Sequence, residues 1–268
     1  MKRNVILLSA GVLSIGLMAF GYAKLNTSSN EKCQALKPQK ATSNPYIEVN
    51  TKDEVFTDFF YDFGPRFGMT ISKSNLQAAR TVGDILPADD LKNIESYKSV
   101  NVIIIKNDEQ TDIRSKGYSD KFTDAQLKLL RSMDYSTNFL MRTDFERNDD
   151  DKRPNNTYIT PHMTVVPEKQ AEFKEGKDAL LDFIKKANKK FTINLDEKKL
   201  APAKLYFTIS KTGTVENINL DRSCGYSTID INMIEYITKS AGKWIPAENE
   251  KGEKVEQELV LSFGMVGC

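Results

Sequence analysis

The spacing of apolar residues changes along this chain, and each change marks a new kind of element. An uncharged run at residues 5–22 follows Lys2 and Arg3 and gives way to Lys24 and a polar stretch. That is the form of an export signal or a membrane helix, and a run of this length can just span a bilayer. Gly21 and Ala23 also stand as small residues at the −3 and −1 positions of a cleavage after Ala23. Either fate carries the remainder across a membrane, and the leading basic pair agrees with a cytoplasmic N-terminus. Residues 1–23 are therefore expected to be a signal peptide or membrane anchor. Residues 24–46, rich in Asn, Thr, Ser and Lys, are expected to be a polar linker.

From 47 to 166 the pattern reads as a β-rich domain. Apolar runs at 56–63, 67–71, 100–105, 138–145 and 158–166 suit strands. Between them, 72–80 places Leu76 and Ala79 on one helical face. The segment 123–133 repeats Leu127, Leu130 and Met133 at helical spacing. The charged stretch 147–156 reads as a solvated loop. Its three consecutive aspartates lack the ligand spacing and the glycine of a calcium loop.

After Pro167 the order of patterns is α-β-β-α-β. A helix over 168–190 carries Phe173, Leu180, Leu181, Phe183 and Ile184. Leu205, Phe207 and Ile209 then alternate with polar residues, Lys211-Thr212-Gly213 turns, and Ile218 and Leu220 return on the apolar face. Ser223-Cys224-Gly225 breaks the strand. Ser227 and Asp230 have the spacing of a capping box for a helix that turns Ile231, Ile234 and Ile237 inward. Trp244, ahead of Ile245-Pro246, suits a core plug. In the last strand Val255, Leu259, Leu261, Phe263 and Met265 alternate with Glu256, Glu258, Val260 and Ser262. The fold class is α+β: an N-terminal apolar helix, a β-rich middle domain over 47–166, and an α-β-β-α-β domain over 167–268 with a small antiparallel sheet.

Composition narrows the function. With 38 basic and 37 acidic residues the net charge is +1, which gives no reason to expect nucleic acid as a partner. Three scattered cysteines (Cys33, Cys224, Cys268) and the single His162 make a poor zinc site, so no metal is expected. In an oxidising compartment one disulfide and one spare thiol are the natural outcome. The chain has no nucleophile elbow, HExxH, P-loop or GxGxxG, and His162 reads as structural or exposed. No catalytic residue and no cofactor is expected, and the chain reads as a non-enzyme.

The landmarks from Leu205 to Phe263 carry a resemblance. They are the strand ending in Lys211-x-Gly213 with Val215, then Ser223-x-Gly225, Ile229-Asp230, Lys243-Trp244-x-Pro246-Ala247 and the closing strand. In this order they resemble the C-terminal domain of TonB-type energy transducers, Bacteroidetes type. The middle region, through Ile71-Ser72-Lys73-x-x-Leu76, Ser96-Tyr97 and Thr123-x-Ala125-Gln126, more weakly resembles the C-terminal periplasmic domain of the gliding-motility and type IX secretion motor shaft protein. The resemblance implies a periplasmic protein of the bacterial cell envelope, anchored in the inner membrane by 5–22 or released after cleavage near Ala23. Its partner would be an outer-membrane TonB-dependent transporter or another envelope protein, bound as an added strand along the edge of 256–263. Glu256, Glu258, Val260 and Ser262 would meet that peptide. A homodimer through the same edge is the alternative. The family's sheet order further implies a disulfide between Cys224 and Cys268, against a buried thiol at Cys224 with Cys268 pairing elsewhere. The family's long spacer and its membrane-helix histidine are absent here. Two readings follow: a transducer coupled to an inner-membrane proton-driven motor, or an adaptor of the same fold without energy input.

Overall fold

The structure is a computed structural model that describes residues 59–147 and 157–266. The first half contains β1 (Phe60–Gly64), β2 (Met69–Ser72), α1 (Lys73–Ala78), α2 (Ala88–Leu91), β3 (Ile94–Lys106), β4 (Glu109–Gly117), α3 (Asp124–Ser132), β5 (Asn138–Arg147), β6 (Thr157–Ile159) and β7 (His162–Val166). The second contains β8 (Glu172–Phe173), α4 (Lys177–Asn188), β9 (Pro202–Ile209), β10 (Val215–Arg222), α5 (Ser227–Lys239), β11 (Trp244–Ile245), β12 (Ala247–Glu248), β13 (Lys254–Val255) and β14 (Gln257–Gly264). The result is a mixed α+β fold with two main sheets.

The larger sheet runs β2-β7-β5-β3-β4, with β6 paired to β5 beside β7. One face is buried under α1 and α3, where Leu76, Leu130, Val100, Val102, Phe139 and Met141 are almost fully enclosed. The helix α3 starts where its sequence says it should. The Thr123 hydroxyl accepts from the Gln126 N–H, and the Gln126 side chain reaches back to the Thr123 N–H. The segment expected as one strand over 158–166 is two strands. Pro161 breaks it, so β6 and β7 pair with different parts of β5. The strand β4 was not expected, because its sequence EQTDIRSKG is polar on both faces and shows no alternation.

The second sheet runs β1-β14-β9-β10, antiparallel throughout. Alternation decides its two faces. Ala203, Leu205, Phe207 and Ile209 of β9 and Leu259, Leu261 and Phe263 of β14 are buried against α4 and α5. Each of these Leu, Ile and Phe side chains contributes about 1.5–3 kcal/mol on removal from water. The opposite face presents Lys204, Tyr206 and Thr208 beside Glu258 and Ser262. That helix-free face meets the β3–β4 turn and the loop before β5. All described residues belong to one compact unit. The strand β1, from before the middle sheet, is built into the C-terminal sheet.

Three local expectations are corrected. The helix expected over 168–190 begins only at Lys177, because Gly176 (φ 90°) turns the chain and 172–173 pair with β11 instead. Asp230 forms no capping box with Ser227. Its carboxylate accepts from the Ser223 hydroxyl at 2.5 Å and the Cys224 N–H at 3.0 Å. On α5, Ile229, Met233 and Ile237 face the core, whereas Ile231 is 62% exposed.

The expected anchor is also corrected. Among the described residues no helix is long and apolar enough to cross a membrane, which runs against the signal or transmembrane helix and the inner-membrane location. The segment 5–22 itself, the linker 24–46, Cys33 and most of the loop 147–156 lie outside the described residues.

Candidate functional site

The strand expected to offer a free edge is covered along most of its length. β14 lies between β9 and β1, and β1 pairs with it from Phe60↔Gly264 to Gly64↔Val260. Beyond the end of β1, the Glu258 N–H donates to the Ser136 hydroxyl at 3.0 Å. Of the partner-binding edge expected at 256–263, residues 260–263 are therefore already occupied by the chain's own β1, and the Glu258 N–H by Ser136. Periodicity could not reveal this, because β1 is far from β14 in sequence. Of the four residues expected there, Glu256 is exposed ahead of the strand and Val260 is buried between Tyr206 and Gly64. Ser262 pairs with Asp62 and Lys204, and Glu258 points from the helix-free face into a cleft.

The expected disulfide is not formed. Cys224 is a free, fully buried thiol that donates to the Tyr226 carbonyl at 3.7 Å. Burial pushes it up to about 12, the Tyr226 contact opposes this, and the Asp230 carboxylate adds to it. The reason is local. Asp230 holds the Cys224 N–H, and the cysteine's Cβ packs under Gly264, leaving the thiol inside the core. Cys268 lies outside the described residues.

Among the described residues, two of the concavities are lined by strands of the second sheet near the covered edge and the helix-free face. The first is a groove of about 450 Å3 next to β1. It exists because Pro65 follows Gly64: proline has no N–H to continue the ladder, so β1 stops opposite Val260. The neighbouring stretch of β14 is left without a flanking strand, and Leu259 forms the floor. Residues 63–65 line it from the end of β1, and residues 170–173 from the segment containing β8, which pairs with β11. Phe63 and Phe173 are held from behind by Trp244, with ring centroids 5.6 and 5.5 Å away. Trp244 is 2% exposed and donates its indole N–H to Ser240 at 2.9 Å, so the expected plug packs against two residues that line the groove. Lys177, paired with Asp62 at 2.5 Å, and Glu172 stand at the rim.

The second is a polar cleft of about 210 Å3 where the β3–β4 turn meets the helix-free face. Asn107 and Asp108 both have positive φ (51° and 61°), the conformation of a two-residue hairpin turn. That turn places the Asp108 carboxylate among three cations. Arg66 donates to one oxygen from Nε (2.8 Å) and Nη2 (2.6 Å), while Arg222 (2.7 Å) and Lys204 donate to the other. Burial pushes the Asp108 carboxyl up, but the Lys204 and Arg66 bonds together hold it below the usual carboxylate range. Lys204 is nevertheless shifted down, first by burial and then by Arg66 and Arg222. The two shifts agree physically once one carboxylate is seen to be shared among three cations. Across the cleft, burial alone pushes Glu258 up. The Asn-Asp pair after the apolar run 100–105 was a legible turn signal for this site. The partners of Asp108, 42, 96 and 114 residues away, were not legible.

Comparison of the chain with protein-family models, curated proteins and solved structures gives no match.

Proposed function

We propose that this protein is a non-enzymatic binding module, an adaptor that holds an extended segment of a partner protein in the groove beside β1. The observation that carries this reading is the groove itself: the end of β1 at Phe63 and Gly64, the strand β8 at Glu172 and Phe173, and Leu259 of β14 line it together. An extended peptide suits such walls, because alternate residues can face the floor and the rim while its backbone meets strand-like backbone. The apolar centre of Phe63, Phe173 and Leu259 with Lys177 and Glu172 outside repeats the usual division of an interface into core and rim. The arrangement β14-β9-β10 with α4 and α5 on one face supports the TonB-type reading of the domain. In that reading the partner is the tail of a transporter or of another protein, received beside β1 rather than on the closed edge of β14. The Cys224 thiol is buried and pushed up to about 12, and His162 is exposed against the Phe67 ring.

The test fills the groove without disturbing the fold. Lys177 lines the groove and stands exposed over the Phe63 ring at the start of α4, so Lys177→Trp lays a larger side chain across it. Random ten-residue peptides displayed on phage are selected against the full chain and then measured on Lys177→Trp. The proposal expects selected peptides with alternating apolar residues that lose about tenfold or more in affinity on the variant. Peptides that bind both proteins equally would place recognition elsewhere and end this reading.

A further inference from the structure

The polar cleft is independent of the groove, and its chemistry differs. Nine of its ten lining residues are polar, Ile105 being the exception. Asn107 and Asn219 supply carboxamides, each carrying donors and an acceptor on one planar group, while Asn138 already accepts from Thr164 and Asn217 donates to Thr208. Tyr206 stands on the central strand β9, with the Arg66 guanidinium close to its hydroxyl. Arg66 is fixed in turn by its two bonds to Asp108, so the cleft has an oriented donor as well as carboxamides.

The charges at and around the cleft balance. Arg66, Lys204 and Arg222 are matched by Asp108, Asp221 and Glu258. An anion such as phosphate gains little where the cations already share a carboxylate, and an amine gains little beside Arg66. No group of three or more acidic, histidine or cysteine side chains able to hold a metal ion occurs among the described residues. The ligand that fits is neutral, and its polar groups must donate and accept at once. Hydroxyl groups do this, and paired hydroxyls on adjacent carbons match the planar carboxamides and carboxyls.

We propose that this cleft binds a neutral polyhydroxylated ligand, a sugar unit of a glycan. At about 210 Å3 it holds roughly seven waters' share of liquid, which suits one sugar unit, with the chain of the glycan continuing into solvent along β10. Asn219 and Tyr206 would each bond a ring hydroxyl, and Glu258 would accept from or donate to another.

Isothermal titration of the full chain with chitotriose, cellotriose and maltotriose tests this. Inorganic phosphate and 1,4-diaminobutane serve as the anionic and cationic probes. Saturable binding of at least one trisaccharide is expected, weakened about tenfold by Asn219→Ala and by Tyr206→Phe. Asn219 is exposed, so its variant should keep the wild-type circular dichroism and melting temperature. Lys177→Trp, at a residue outside the lining of the cleft, should leave sugar affinity unchanged, which separates this site from the peptide groove. The proposal is overturned if none of the three sugars binds, if both variants bind as wild type does, or if phosphate or the diamine displaces the sugar.

Discussion

Replacing Trp244 by Ala removes the side chain on which three aromatic rings converge. Phe63 of β1, Phe173 of β8 and Phe207 of β9 lie with centroids 5.5–5.6 Å from it, and the indole is 2% exposed. A buried Trp→Ala change costs about 3–5 kcal/mol from lost transfer energy and the cavity left behind. The aromatic pairs and the Ser240 hydrogen bond place this site at the upper end, about 4–5 kcal/mol. Domains are commonly stable by only about 5–15 kcal/mol, so the variant should survive narrowly. Equilibrium unfolding in guanidinium, followed by far-UV circular dichroism because Trp244 is the only tryptophan, should show a midpoint lower by about 1 M. Trp244→Phe keeps a ring and should lose about 1–2 kcal/mol. Hydrogen exchange should then rise most at Phe60–Gly64, since β1 loses the partner of Phe63, and least in β3. A loss below about 1 kcal/mol for the Ala variant, or exchange rising equally in both sheets, would refute Trp244 as the link between β1 and the C-terminal core.

Three further outcomes follow from particular side chains. Cys224 should resist iodoacetamide at pH 8 in the folded protein and react fully in denaturant, because burial holds the thiol at about 12; peptide mass mapping reads this, and modification of the native protein would show the thiol is not enclosed. Gly225→Ala should cost about 3 kcal/mol or more in thermal unfolding, since Gly225 has φ 91° and an added Cβ would sit 1.9 Å from the Lys199 carbonyl; a variant melting like wild type would mean the loop has room. Glu258 has a folded-state value raised by burial, so its contribution is fully present below its ordinary value of 4.5 and is lost as pH rises through the raised one. Glu258→Gln should therefore gain stability relative to wild type between pH 4 and pH 8 in parallel denaturant titrations, and parallel pH profiles would mean the carboxyl is solvated.

What the sequence determined by itself is the part of the fold written in local periodicity. The alternation of Leu205, Phe207 and Ile209, and of Leu259, Leu261 and Phe263, fixes which face of each strand is buried, because side chains in a strand point to opposite sides by turns. The Thr123–Gln126 pair sets the start of α3, and the Trp244 corner reads correctly as a plug, because both depend on residues close in sequence. Where several local assignments competed, periodicity could not rank them. Ile231 and Ile229 are equally apolar, and only the position of α5 against β9 and β10 sends one out and the other in. The tertiary structure alone decided the site. Closure of the β14 edge depends on β1, which lies about two hundred residues earlier and carries nothing in its own pattern to name its neighbour. The free thiol at Cys224 depends on how Gly264 packs over it, and the Asp108 cluster on three cations drawn from three distant segments. Strand pairing, close packing and ion pairing of this kind are contacts between segments far apart in the chain, and a residue's own neighbours do not encode which distant partner it will meet.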